Sequence, residues 1–274
     1  MRFIFRILIW APVLYIFLVV FVYYYQNNLL YYPESGIAST PKNYGLVWED
    51  IYFETADGIK LNGWFIPGKN SENVILLSHG NAGNISNRLP LLRLLNTLGT
   101  SIFIYDYRGY GRSEGSPGEK GLYLDVEAAF SYLQKTKNFK QEQIILMGRS
   151  LGGGVTSHLA ARKPVKAVIL ESTFTSVPNL AAELYWFLPV KVLCKNNFAT
   201  INKVARIKSP LLIIHSRDDE LIPFEHGKKL FEKATKPKSF LEISGSHNQG
   251  SLNSKKKYIT ALKSFLKFQP DNSR

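Results

Sequence analysis

The chain has 274 residues, 45% of them hydrophobic and 20% charged, with 20 glycines, 13 prolines and 1 cysteine. That content excludes a disordered or collagen-like chain, and a lone Cys194 excludes an internal disulfide or a thiolate metal cluster while leaving the redox compartment open. The formal net charge of +13 favours anionic surroundings.

The length allows one large domain or two small ones. The basic residues are spread along the chain and dense only at Lys255-Lys256-Lys257. No basic region carries the interleaved aromatics of an RNA-binding sheet, so nucleic acid is not an expected partner. A solvated lysine-rich surface is the ordinary reading, with anionic lipid contact next.

Arg2 and Arg6 precede an uncharged run, Ile7 to Tyr25. As a helix it spans roughly 28 Å, about one hydrocarbon core. The rival is a cleaved signal peptide, whose apolar region is shorter and ends at small residues. This run ends Phe21-Val22-Tyr23-Tyr24-Tyr25, which suits an interfacial aromatic belt. Residues 1–26 are therefore expected to form an uncleaved membrane anchor, kinked mildly at Pro12. No positive charge follows the span until Lys42, so the N-terminus is expected in the cytoplasm and the remainder on the opposite side.

Residues 27–45 read as a linker, with Tyr31-Tyr32-Pro33 and Ser39-Thr40-Pro41. Val47–Glu54 alternates, placing Val47, Glu49, Ile51 and Phe53 on one face. Ala56-Asp57-Gly58 supplies a turn into Ile59–Ile66, which makes a hairpin. Six near-continuous apolar runs follow, at 74–79, 101–106, 144–148, 167–172, 211–216 and 239–244, as expected for strands buried on both faces. Helical patterns lie between and after them, at 85–98, 121–136, 151–162, 224–234 and 254–268. This alternation predicts a mostly parallel sheet of eight strands with helices on both faces, over residues 46–270. The stretch at about 174–208 is longer than a plain crossover needs, and its middle, 179–193, is rich in bulky apolar residues. It reads as a small cap over the carboxyl ends of the strands, or else as one longer helix packed on the sheet.

Gly148-Arg149-Ser150-Leu151-Gly152 matches G-x-S-x-G between a predicted strand and a predicted helix. In that setting a serine is held on a sharp elbow at a helix N-terminus; the bland alternative is a helix N-cap. A serine hydroxyl needs a base, and the base an orienting acid. His79 and His215 end strands and introduce turns, and His158 and His226 fall in helices; all four read as structural. His247 lies in a loop directly after the last strand, on the rim that carries Ser150, and is the candidate base. Asp218 and Asp219 both follow a strand at that rim, and geometry alone does not separate them. The backbone N–H of Leu151, next after the serine, is a candidate oxyanion donor.

In these pieces the chain resembles the α/β-hydrolases, and more narrowly the membrane-anchored, BEM46-like branch of serine hydrolases. The likeness runs from about Tyr31 to the C-terminus. It rests on His79-Gly80-Asn81-Ala82-Gly83-Asn84, on Asp106-Tyr107-Arg108-Gly109-Tyr110-Gly111, on Gly148–Gly152, on His215…Asp219…Ile222-Pro223, and on Gly245–Asn248. The resemblance implies that the acid is Asp219, four residues after the strand-end histidine, and that the second oxyanion donor is Asn81. It also implies the chain order Ser, Asp, His. Ser216 departs from the glycine usual there, which bears on the local turn shape.

The expected chemistry is acyl transfer to water from a small ester or thioester. The aromatic stretch Tyr185-Trp186-Phe187-Leu188 is expected to contact the acyl chain. An aminopeptidase is the alternative enzyme, with Glu183 the acidic group in the cap, and a non-catalytic membrane-tethered binding domain is the alternative outside enzymes. No metal-ligand cluster and no dinucleotide or phosphate-loop motif occurs, so no cofactor is expected.

Overall fold

The apolar runs become the strands of a single twisted sheet. The computed structural model describes residues 2–69 and 72–267. Its strands are β1 (Glu49–Glu54), β2 (Lys60–Ile66), β3 (Val74–Ser78), β4 (Ser101–Tyr105), β5 (Ile144–Arg149), β6 (Ala167–Glu171), β7 (Leu211–Ser216) and β8 (Lys238–Ile243). The spatial order is β1-β2-β4-β3-β5-β6-β7-β8. β1 and β2 pair antiparallel, as do β2 and β4, and every later pair is parallel. β3, β4, β5, β6 and β7 are buried along their whole length, because helices cover both faces.

The helices are α1 (Arg2–Leu30), α2 (Leu89–Asn96), α3 (Glu119–Lys135), α4 (Leu151–Ala160), α5 (Val177–Leu184), α6 (Val190–Leu193), α7 (Thr200–Val204), α8 (Phe224–Lys233), α9 (Gly250–Asn253) and α10 (Lys255–Lys267). Two hydrophobic layers flank the sheet. Val74, Phe103, Leu146 and Val168 face the layer built with α3 and α4, whereas Ile75, Ile104, Ile145 and Ile169 face the layer built with α2 and α10. Adjacent residues of each strand thus serve opposite cores, as the two-residue period of a strand requires.

Two local differences from expectation concern the hairpin and the segment after α1. Pairing of the hairpin begins at Glu49 opposite Phe65, so Val47 lies outside β1 and is exposed, while Ile51 and Phe53 are buried. Of the expected linker at 27–45, residues 27–30 belong to α1, and the stretch that follows is held to the domain: Tyr31 is buried, Pro33 bridges Gly83, and Asn84 Nδ2 donates to the carbonyls of Glu34 and Gly36. The connection between β6 and β7 is three short helices, α5, α6 and α7, rather than one long one. The expected ends of the last helix, at 268, and of the domain, at 270, lie outside the described residues.

α1 contains a stretch, Trp10–Leu30, long and apolar enough to cross a membrane. Pro12 lies inside it.

His158 on α4 stacks on the Tyr123 ring of α3, with centroids 3.7 Å apart. Burial, and then the charge of Arg162, push its imidazole down to about 4. Below the ordinary histidine value of about 6.5 the unfolded chain therefore takes up a proton that the folded protein resists. Stability from this group is complete above that value and is lost as pH falls toward 4. Thermal denaturation should show a lower melting temperature at pH 5 than at pH 7.5. His158→Gln should shrink that drop; an unchanged drop would remove His158 as its source.

Candidate active site

β5 ends at Arg149 and α4 begins at Leu151, so the chain must reverse within Ser150. Ser150 does this at φ 53° and ψ −120°, a region that residues with a Cβ seldom occupy. The reversal is so tight that a Cβ on Gly152 would run into the Ser78 carbonyl, and one on Gly148 into the Gly152 carbonyl. The elbow is anchored on both sides: the Ser150 N–H donates to the Glu171 carbonyl at 2.9 Å, and Thr173 Oγ1 donates to the Ser150 carbonyl at 2.7 Å.

Ser150, Leu151, Asn81 and His247 all line one cavity of about 660 Å³. Asp219 sits behind His247 and is buried. His247 Nδ1 lies 2.8 Å from Asp219 Oδ2 and 2.9 Å from Oδ1. A proton on Nδ1 makes that contact a hydrogen bond and leaves Nε2 as the basic nitrogen. Asp219 Oδ1 also accepts from the backbone N–H groups of Leu221 and Ile222, at 3.1 and 2.8 Å. Burial pushes the Asp219 carboxyl up, but its hydrogen bond to His247, the charge there and the Ile222 amide outweigh burial and hold it below the usual carboxylate value.

Asp218 has a different place: its Oδ2 accepts from the Gly245 N–H at 2.9 Å, across the base of the loop that carries His247. Ser216 joins that loop too, its Oγ accepting from the Asp218 N–H and donating to the Gly245 carbonyl. The serine that stands where a glycine is usual thus ties the turn to the loop.

Leu151 is the first residue of α4, so its N–H has no partner within the helix. Asn81 follows β3 in a turn whose Gly80 faces Ser150: a Cβ on Gly80 would stand 3.5 Å from the Ser150 Cβ. The Asn81 side chain is used structurally. Its Nδ2 donates to the Leu30 carbonyl and its Oδ1 accepts from Tyr110 at 2.9 Å.

The other histidines have packing partners. His79 Nδ1 donates to the Gly80 carbonyl at 2.7 Å, and His215 Nε2 to the Ile222 carbonyl at 2.9 Å. His226 accepts at Nδ1 from the Thr175 N–H and meets Glu183 at Nε2. Burial pushes both His215 and His226 below the ordinary histidine value.

Four supporting residues were not legible in the sequence. Arg149, the variable position of G-x-S-x-G, donates to the His247 carbonyl and lies 3.3 Å from the buried Glu171. Glu171 in turn accepts from the Tyr258 hydroxyl at 2.6 Å, and Glu220 accepts from the His247 N–H at 2.8 Å. No short motif links these residues, which come from four separate segments. Of the aromatic stretch in the cap, Tyr185 lines the cavity whereas Trp186 is 84% exposed. Among the described residues no group of acidic, histidine or cysteine side chains could hold a metal ion.

Residues 69–201 match the Hydrolase_4 family, described as serine aminopeptidase, S33. The α/β-hydrolase domain-containing protein WAV2 of Arabidopsis thaliana is 34% identical over 278 residues, covering 91% of this chain and 90% of WAV2. The chain belongs to the α/β-hydrolase family. A relative from Saccharomyces cerevisiae, described as an uncharacterised membrane protein, is 35% identical over 239 residues, covering 83% of this chain and 84% of its own length. Among solved structures, the esterase Pf2001 of Pyrococcus furiosus shares the α/β-hydrolase fold with a TM-score of 0.73, at 22% identity, covering 87% of this chain and 97% of that one.

Proposed function

We propose that this α/β-hydrolase is a membrane-anchored serine hydrolase that cleaves an ester or thioester of an apolar acyl group. The observation that carries the reading is Ser150, strained at φ 53°, on the wall of a cavity shared with His247, whose Nδ1 rests 2.8 Å from Asp219. Ser150 Oγ attacks the acyl carbonyl while His247 Nε2 takes its proton. The tetrahedral oxyanion is met by the N–H groups of Leu151 and Asn81. His247 then gives the proton to the departing alcohol or thiol, leaving an acyl-serine. Water, deprotonated by the same imidazole, attacks the acyl-serine, and Ser150 recovers its proton. Asp219, ionised, holds the imidazole and offsets its transient positive charge. Leu91, Phe174, Val177, Leu180 and Leu184 line the cavity and supply the apolar contact that an acyl chain needs.

The family's description as serine aminopeptidase, together with a carboxylate in the cavity wall, favours a second reading as a peptidase. That carboxylate is Glu34; Glu183 instead pairs with His226. A fluorophosphonate probe should label the wild-type protein and leave Ser150→Ala unlabelled; equal labelling of both would discard Ser150 as nucleophile. Profiling p-nitrophenyl esters and acyl thioesters against aminoacyl p-nitroanilides then separates the readings, with faster turnover of the anilides deciding for the peptidase. If the wild-type protein takes no label and turns over neither series, the tethered binding domain is the reading left.

Membrane residence through α1 rests on the Trp10–Leu30 stretch and on the yeast relative's description as a membrane protein. With Arg2 and Arg6 before the span, the hydrolase domain belongs on the side opposite the cytoplasm. A C-terminal alkaline phosphatase fusion should be active and a C-terminal green fluorescent protein fusion dark; the reverse pattern inverts the orientation.

A further inference from the structure

The cap and the membrane helix are joined. Tyr15 Oη donates to the Phe187 carbonyl at 2.9 Å. Gln26 Nε2 donates to the Leu193 carbonyl at 3.1 Å, and Gln26 Oε1 accepts from the Lys195 N–H at 2.6 Å. Lys195 Nζ sits over the Tyr23 ring, 4.0 Å from its centroid. Tyr23 to Tyr15 is eight residues of helix, about 12 Å of rise. The cap tip therefore lies against α1 well inside the apolar stretch, beyond the tyrosines that suit a headgroup belt, while Lys195 stays level with them.

The tip is built for that place. Leu184-Tyr185-Trp186-Phe187-Leu188-Pro189-Val190 carries no charge. Trp186 is 84% exposed and Val192 is 85% exposed; the exposed Lys191 precedes Val192, and its long apolar stem lets the ammonium reach the headgroup level. In water such a patch beside an apolar helix is unfavourable. In a bilayer it continues the lipid-facing surface of α1, and the Phe187 carbonyl, which hydrocarbon would leave unpaired, is satisfied by Tyr15.

The cavity reaches these same parts. Its wall includes Leu29 and Leu30 at the end of α1 and Leu184 and Tyr185 of the cap, together with Ser150 and His247. Asn81, which bonds the Leu30 carbonyl, fixes the end of the membrane helix to the candidate oxyanion turn.

We propose that the cap tip, with Trp186 and Val192, is immersed in the bilayer beside α1, so that the cavity receives its acyl group from the lipid phase. The substrate is then an ester or thioester whose long acyl chain resides in the membrane, rather than a water-soluble one. This rests on the hydrolase reading for the substrate, whereas the immersion stands on the cap and α1 alone.

The test has two arms on the full chain in phosphatidylcholine–phosphatidylglycerol vesicles. In the first, a nitrobenzoxadiazole label is placed on Trp186→Cys in a Cys194→Ser background. Lipids spin-labelled on the acyl chain should quench it at least twofold more strongly than aqueous iodide does. Quenching by iodide alone overturns the immersion, as does protection from both quenchers, the signature of a protein partner or a second copy over the tip. In the second arm, Trp186→Ser/Val192→Ser should lower kcat/KM for a vesicle-borne fluorogenic palmitoyl ester at least tenfold. Its kcat/KM for soluble p-nitrophenyl butyrate should stay within twofold of wild type. Equal loss on both substrates, or no loss on either, overturns membrane delivery. Absence of fluorophosphonate labelling in the wild-type protein would instead sink the hydrolase reading, leaving the first arm to judge the cap by itself.

Discussion

Replacing Ser150 with glycine is expected to abolish ester hydrolysis and at the same time to raise the melting temperature. The loss follows from the role proposed for Ser150: without Oγ there is no acyl-enzyme, and turnover should fall at least about 10⁴-fold. The gain follows from the backbone. A residue with a Cβ at φ 53° and ψ −120° carries strain of about 1–3 kcal/mol, which glycine does not feel. Glycine's greater freedom in the unfolded chain offsets about 0.5–1 kcal/mol of that. The net gain of about 1 kcal/mol corresponds to roughly 2–4 °C for a domain of this size. Ser150→Ala separates the two effects, since it loses the hydroxyl and keeps the Cβ. It should be as inactive as Ser150→Gly without the rise in melting temperature. If Ser150→Gly melts no higher than Ser150→Ala, the elbow is not a store of strain; if either variant keeps wild-type turnover, Ser150 is not the nucleophile.

Asp219→Asn should lower kcat about 10⁴-fold with little change in fold. The Leu221 and Ile222 amides need an acceptor at Oδ1, so they orient the new amide with its oxygen toward them. Its NH₂ then faces His247 Nδ1. The imidazole answers by accepting at Nδ1 and carrying its proton on Nε2, where it cannot serve as a base. A circular dichroism spectrum and melting temperature close to wild type, alongside the loss in kcat, are the expected pair of results. Asp218→Asn is the control: Asp218 holds the Gly245 N–H, whereas the imidazole is held by Asp219, so the loss in kcat should stay within about tenfold. Comparable losses in the two variants would remove the distinction between the aspartates.

That distinction shows where residue order stops being informative. Asp218 and Asp219 are neighbours at one strand end, chemically identical, and local reasoning has nothing with which to choose. The family resemblance pointed to Asp219 without a physical reason; the folded turn supplies it, because a β-strand end turns successive residues in different directions, and Asp219 meets His247 while Asp218 braces the loop. Arg149 and Glu171 are similar. Each is a charged residue at the end of a buried strand, and nothing nearby in the chain explains either. They become intelligible once β5 and β6 lie side by side and Tyr258, eighty-seven residues from Glu171, closes the network.

Elements with local signals are dictated by neighbouring residues in the chain. These are the apolar runs of the parallel strands, the uncharged stretch of α1, the glycines that permit the elbow at Ser150, and the loop position of His247. Each follows from periodicity, charge or steric space within a dozen or so residues. Which parts touch across the chain emerges only on folding. The residues after α1 proved to be stitched to the Asn81 turn, and Trp186 proved to be exposed rather than part of the cavity wall. The physical reason is that burial and pairing are properties of two surfaces, and the second surface is supplied by segments far away in the chain.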